Sequence, residues 1–200
     1  MRTGVYGGTF DPIHIGHLIM ATLAREELEL DQVLWIPAYR PPHKDEQSNQ
    51  PLSSYDHRLR MVELAIADRP YFSLSTIEGE KDGPSYTYDT LKQLQARRSD
   101  TYLFLCGADS LATIDTWHRA RDLMQEFTLG VFQRQEYQAQ DVKRKLETLG
   151  FYFENVRWLD TPVFDVSSTW LRQRLRMGLG VADLIPHSVY NYIKEHGLYV

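Results

Sequence analysis

Thr3-Gly4-Val5-Tyr6-Gly7-Gly8-Thr9-Phe10-Asp11-Pro12-Ile13-His14-Ile15-Gly16-His17 is the stretch on which the reading of this chain turns. A short apolar strand, residues 3–6, closes on two glycines, and two histidines then flank a third glycine at the start of a helical pattern. Glycine lets backbone N–H groups approach an anion without a Cβ in the way. A helix N-terminus adds partial positive charge and unpaired donors. His14 and His17, at i and i+3, share one face of that first turn and supply two more donors. The composite is a phosphate-holding device, and it points to nucleotide chemistry on an α/β scaffold.

Outward from this stretch, strand-like runs alternate with helical ones. Strands are expected at residues 3–6, 32–37, 71–78, 101–106, 127–133 and 155–160, and helices at 16–28, 55–67, 88–96, 120–125, 141–149, 169–177 and 187–196. That alternation predicts a Rossmann-like, doubly wound, mostly parallel sheet with helices on both faces. Ser53 with Asp56 reads as the cap of the second helix. The polar stretch from Lys44 to Pro51 reads as an exposed, mobile loop. No repeat or low-complexity tract divides the chain, so residues 1–200 are read as one domain.

Composition narrows the classes of function. With 42% hydrophobic and 24% charged residues the chain is of ordinary globular type. No apolar run approaches membrane-spanning length, and the N-terminus lacks a secretory pattern. Cys106 is the one cysteine, which excludes an internal disulfide, suits a reducing compartment and makes a cytoplasmic location the expectation. The net charge of −5 argues against nucleic acid as a partner. Any phosphate must be held by local positive groups.

Ligands of open parallel sheets settle beyond the carboxyl ends of the strands. Four clusters fall there: residues 7–17, 37–44, 107–117 and 166–172. A single pocket fed by all four accounts for them. Each has a plainer alternative. Paired glycines mark turns, and the two histidines could be cap or surface residues. A zinc site lacks a third ligand in familiar spacing. Tyr39-Arg40-Pro41-Pro42-His43-Lys44 offers cations on a stiffened loop, or is a solvated loop with incidental charge. Ser167-Ser168-Thr169 with Arg172 is a phosphate clamp, or a plain helix start. Asp109 suits a ribose hydroxyl, or caps a helix. Trp117, among polar neighbours, is a core residue or a ring for stacking on a flat ligand. Residues 85–91 read as a helix start whose N–H groups could grip a carboxylate.

Taken together, these segments resemble one known family. Residues 7–17 carry the His-x-Gly-His signature of the nucleotidyltransferase superfamily. The rest resembles the bacterial nicotinate-nucleotide adenylyltransferases: Pro37 with Pro41-Pro42-His43-Lys44, Pro84-Ser85-Tyr86-Thr87, Gly107-Ala108-Asp109-Ser110 with Trp117, Ser167-Ser168-Thr169 with Arg172, and the closing Tyr192-Ile193 and Gly197-Leu198-Tyr199. The motifs span nearly the whole chain in the family's order. Val166 and Trp170-Leu171 depart from it, where smaller or β-branched residues are commoner.

The resemblance implies that ATP and nicotinate mononucleotide give deamido-NAD and pyrophosphate, with Mg2+ carried by phosphates and water and no dedicated protein metal site. It makes His14, His17 and Arg172 catalytic. It places ATP on Gly8, Thr9, Phe10, His14, His17, Gly107, Asp109, Ser168 and Arg172. It gives the mononucleotide Lys44 for its phosphate, Trp117 for its ring, and Thr87 with the His118 amide for its carboxylate. Nicotinamide mononucleotide as the preferred substrate and a non-catalytic nucleotide sensor are the alternatives. Class I aminoacyl-tRNA synthetases share His14-Ile15-Gly16-His17 but need a lysine-serine loop and a basic face absent here. Transferases acting on phosphopantetheine or making CDP-alcohols leave the proline-lysine loop and the 109–117 cluster unexplained.

Overall fold

The computed structural model describes residues 1–41, 51–80, 83–133, 137–162 and 166–200. Among them a six-stranded sheet has the order β3-β2-β1-β4-β5-β6, and every pairing is parallel. The strands are β1 (Arg2–Gly8), β2 (Gln32–Pro37), β3 (Phe72–Leu74), β4 (Thr101–Gly107), β5 (Thr128–Phe132) and β6 (Val156–Leu159). The chain begins in the middle, runs outward through β2 and β3, then returns to add β4 on the other side of β1. The strand order therefore reverses between β1 and β4, the place where such sheets open a crevice.

Both faces of the sheet are covered, so its central strands are largely apolar, with alternate residues going to opposite cores. Leu103 and Leu105 join Tyr6, Trp35 and Phe132 in one core; Tyr102, Phe104 and Cys106 join Val5, Leu129 and Val131 in the other. The first core is closed by α1 (Ile15–Glu27), α2 (Tyr55–Ile66), α7 (Ser168–Arg176) and α8 (His187–Glu195). The second is closed by α3 (Thr87–Arg97), α4 (Ala108–Ala112), α5 (Ala120–Glu126) and α6 (Ala139–Thr148). Helical spacing accounts for the contacts. On α2 the buried residues are Arg58, Met61, Val62, Ala65 and Ile66, one continuous stripe. Helix α6 stops where Gly150 turns left-handed (φ +66°) and the Phe151 N–H reaches back to the Leu146 carbonyl at 2.9 Å.

Three expectations need correction. The strand expected over residues 71–78 is only Phe72–Leu74, followed by a 3-10 turn over Ile77–Glu80. As an edge strand it pairs on one side only, and after the Ser75 N–H meets the Trp35 carbonyl at 2.9 Å the chain turns inward to bury Glu78. The cap of α2 is Ser54, whose hydroxyl accepts the His57 N–H at 3.3 Å, rather than Ser53. Helix α4, directly after β4, was absent from the expected helices, its five residues being too few to show a period. Lys44 and the stretch up to residue 50 lie outside the described residues.

Candidate active site

The connection from β1 to α1 forms the floor of the crevice. Gly8 is required by close approach, since a Cβ there would stand 2.9 Å from the Phe10 ring. Phe10 itself has φ +51°, a left-handed conformation uncommon outside glycine. His14 then caps α1, and its backbone N–H donates to His17 Nδ1 at 3.2 Å. An accepting Nδ1 puts the proton of the neutral ring on Nε2, making His17 a donor at its outer nitrogen. The two rings lie 3.7 Å apart, centroid to centroid. They are not equivalent. His14 is buried at 3% exposure, whereas His17 is half-buried and reaches the crevice edge-on to Phe10, with centroids 5.2 Å apart.

Two adjoining chambers open above this floor, of about 330 and 150 Å³. They share Gly7, Gly8, Phe104, Asp109, Ser110 and Trp117. The smaller adds Phe10, His17 and Gly107; the larger adds Thr9, Glu78, Tyr86, Thr87 and His118. Trp117 is half-buried and meets Phe104 edge-on, with centroids 5.9 Å apart. The start of α3 faces the larger chamber, and no side chain of its cap residue Tyr86 bonds back to the first-turn N–H groups. The Tyr86 ring instead stacks on His118 at 4.4 Å across the chamber wall. His118 Nε2 stands 3.8 Å from Asp89 of the same helix start.

A third cavity, of about 350 Å³, lies at the opposite end of the strands between Arg2, Thr101 and Thr128. It is similar in volume to the larger chamber, yet mixes Arg2 and Arg157 with Glu27 and Glu29, and no glycine loop or helix start enters it. The residues singled out from sequence gather at the other end.

Of the residues singled out from sequence, the crevice brings together Gly8, Thr9, Phe10, His17, Thr87, Gly107, Asp109, Trp117 and His118. His14, Ser168 and Arg172 stand just behind it. The Ser168 hydroxyl donates to the Pro12 carbonyl at 2.9 Å, while Ser167 caps α7 by accepting the Trp170 N–H at 3.2 Å. Arg172 is 8% exposed and donates through Nη1 to the Asp11 carbonyl at 2.6 Å. The start of α7 is thereby bound to the floor loop from behind.

Four supporting residues were given no role by the sequence reading, although Asp11 and Tyr199 lie within its motifs. Asp11 is 1% exposed; its carboxylate accepts the Tyr199 hydroxyl at 2.5 Å and the Ser53 N–H at 3.3 Å. Burial and the Asp11 charge together push the Tyr199 phenol well above its ordinary range. Glu78 accepts the Thr90 hydroxyl at 2.9 Å and borders the larger chamber. Arg58 is 2% exposed; burial lowers its pKa, against the opposing charge of Asp11. Its signal was available: an arginine on the apolar stripe of α2, where Met61, Val62, Ala65 and Ile66 are the other members.

A crevice at the strand reversal, floored by a glycine turn and a histidine-capped helix, is the architecture of a nucleotide-handling α/β protein. The family model described as cytidylyltransferase-like matches residues 5–174. Relatives named as probable nicotinate-nucleotide adenylyltransferases include one from Exiguobacterium sibiricum, 42% identical and covering 100% of this chain and 99% of its own. Another, from Bacillus pumilus, is 41% identical and covers 99% and 98%. A solved Plasmodium falciparum nicotinic acid mononucleotide adenylyltransferase, complexed with NaAD, shares the fold with a TM-score of 0.78 at 20% identity, covering 99% of this chain and 97% of that one. The chain belongs to the cytidylyltransferase-like family and, within it, to the nicotinate-nucleotide adenylyltransferases.

Proposed function

We propose that this protein transfers the adenylyl group of ATP to nicotinate mononucleotide, giving deamido-NAD and pyrophosphate in NAD biosynthesis. The observation that carries the reading is the pair of adjoining chambers, one entered by His17 and Gly107, the other by His118 and the start of α3, with Trp117 lining both. A phosphate oxygen of the mononucleotide attacks the α-phosphorus of ATP, and the bond to pyrophosphate breaks as the new P–O bond forms. No protein nucleophile is needed. Catalysis lies in placing two anions in line and stabilising charge that grows on the leaving group.

His17 donates from Nε2 to the ATP phosphates. The Gly8–Phe10 backbone lines the meeting point of the two substrates, and Asp109 with Gly107 takes the ribose of ATP. His14 fixes the His17 ring through its backbone N–H. Arg172 and Ser168 hold the loop of residues 11 and 12 in register and complete the phosphate site from behind. Lys44 is assigned to the mononucleotide phosphate. Trp117 stacks on the pyridine ring, and the N–H groups of the α3 start, near Thr87, with the His118 amide take the carboxylate.

Among the described residues no three His, Cys, Asp or Glu side chains stand together to hold a metal. A Mg2+ ion would draw its oxygens chiefly from the ATP phosphates and water, with Asp109 and Glu78 the carboxylates that line the crevice. When bound there, the ion would supply charge neutralisation to the departing pyrophosphate. The whole of residues 1–200 acts as one domain, in the cytoplasm; no helix among the described residues is long and apolar enough to cross a membrane.

Pyrophosphate release from ATP and Mg2+, measured with nicotinate and then with nicotinamide mononucleotide, is the test. An anion site built of N–H donors meets a donor again in the amide NH2, so kcat/KM should favour nicotinate by at least about 10²-fold. Equal values would remove the carboxylate assignment. ATP binding without turnover on either mononucleotide would establish the sensor alternative instead.

A further inference from the structure

Arg58 spends every nitrogen of its guanidinium on backbone carbonyls of three separate segments. Nη1 donates to Thr9 at 2.9 Å and to Ala38 at 2.8 Å, Nε to Ser53 at 3.1 Å, and Nη2 to Tyr39 at 3.4 Å. It lines neither chamber, so it stands behind the turn that does. In a planar trans peptide the N–H points opposite to the C=O. Holding the Thr9 carbonyl from behind thus aims the Phe10 N–H forward. The neighbouring segment is held in the same way. The Ala38 carbonyl faces Arg58, and the Tyr39 N–H on the far side of that peptide donates to Ser85 Oγ at 3.1 Å on the chamber wall. The two segments are also tied directly, the Ala38 N–H donating to the Gly8 carbonyl at 2.8 Å.

A second observation concerns the same peptide. Phe10 has φ +51°, a conformation that a non-glycine residue keeps only when its surroundings over-determine it. The Arg58 fork behind Thr9 and the Phe10 ring packed on Gly8 are those surroundings. We propose that Arg58 is a positioning residue that presents the Phe10 N–H to the phosphoryl group in transit, and that turnover depends on its planar fork rather than on its charge alone. A lysine keeps the charge but cannot reach the Thr9, Ala38 and Ser53 carbonyls from one rigid plane. The donor it aims serves charge that develops in the transition state, so its loss falls on kcat more than on binding.

The inference rests on the adenylyl-transfer reading, and turnover by the wild-type protein tests that reading separately. In Arg58→Lys, kcat should fall at least tenfold, on the order of the loss of one oxyanion donor. KM for ATP and for the mononucleotide should stay within about threefold. In Arg58→Ala, millimolar guanidinium should restore part of kcat, which a loss of folded protein would not allow. Wild-type turnover with kcat unchanged in Arg58→Lys would overturn the proposal, as would a rise in KM at constant kcat. Should neither variant fold, the wild-type protein decides: with 15N-labelled phenylalanine, inorganic pyrophosphate and Mg2+ should shift the Phe10 amide resonance. An unmoved Phe10 amide overturns the proposal.

Discussion

At the scale of single residues, the two histidines of the floor loop divide their work. His14 is a buried cap whose N–H fixes a neighbouring ring, and His17 is the ring so fixed. Spacing alone put both on one helix face and could not separate them, because the difference arises from the turn at Phe10 and the packing of Tyr6 and Phe10 against the His17 ring. His17→Ala should lower kcat by about 10²–10³ and leave the KM for the mononucleotide nearly unchanged, since the donor acts on growing charge. Steady-state kinetics with ATP saturating checks this. Near-normal kcat would remove His17 from the catalytic set.

At the scale of elements, the crevice-lining residues sit on the last residues of strands and the first residues of helices. Gly8 ends β1, Gly107 ends β4, Thr87 opens α3 and Asp109 lies in the first turn of α4. Strand ends and helix starts are where backbone donors remain unused by regular structure, which is why the site assembles there. Trp117 follows a 3-10 turn and is braced by Phe104 of β4, where the two chambers adjoin. Trp117→Ala should raise the mononucleotide KM by up to about tenfold and leave that for ATP unchanged, stacking being worth roughly 0.5–1.5 kcal/mol beyond area. An equal rise in both constants would show a collapsed crevice rather than a lost stacking surface.

At the scale of the molecule, the chain's last residues are bound to its first loop. Tyr199, at φ +64°, donates its hydroxyl to Asp11, which is also 3.9 Å from Arg172. Tyr199→Phe strips one partner from a buried carboxylate, a cost of about 1–3 kcal/mol. At roughly 2–4 °C per kcal/mol for a chain of this size, calorimetry should read a clear fall in Tm. The pH dependence follows from the sign of the shift. The folded phenol titrates above its ordinary value of 10.0, so its contribution is complete below pH 10 and is lost as pH rises beyond it. Wild-type stability should therefore decline more steeply above pH 10 than that of Tyr199→Phe. Parallel curves would dissociate the phenol from the buried Asp11.

The alternation of strand and helix, the reversal-point crevice and most of its lining were legible in the chain itself. Those features rest on local rules: period two against period 3.6, glycine at a tight turn, donors at a helix start. Residues such as Gly8, Gly107 and Trp117 announce themselves through their immediate neighbours in the chain. Arg58, Glu78, Asp11 and Tyr199 do not, because their partners lie far along the chain, Arg58 with Thr9 and Asp11 with Tyr199. A buried charge is tolerated only where folding brings acceptors to it, and those distances exist only after the sheet has closed. The short edge strand β3 was likewise settled by tertiary demand, the chain turning inward to bury Glu78 against Thr90 in place of further pairing. Local chemistry marks the glycine-histidine loop; only the folded chain shows what holds that loop in place.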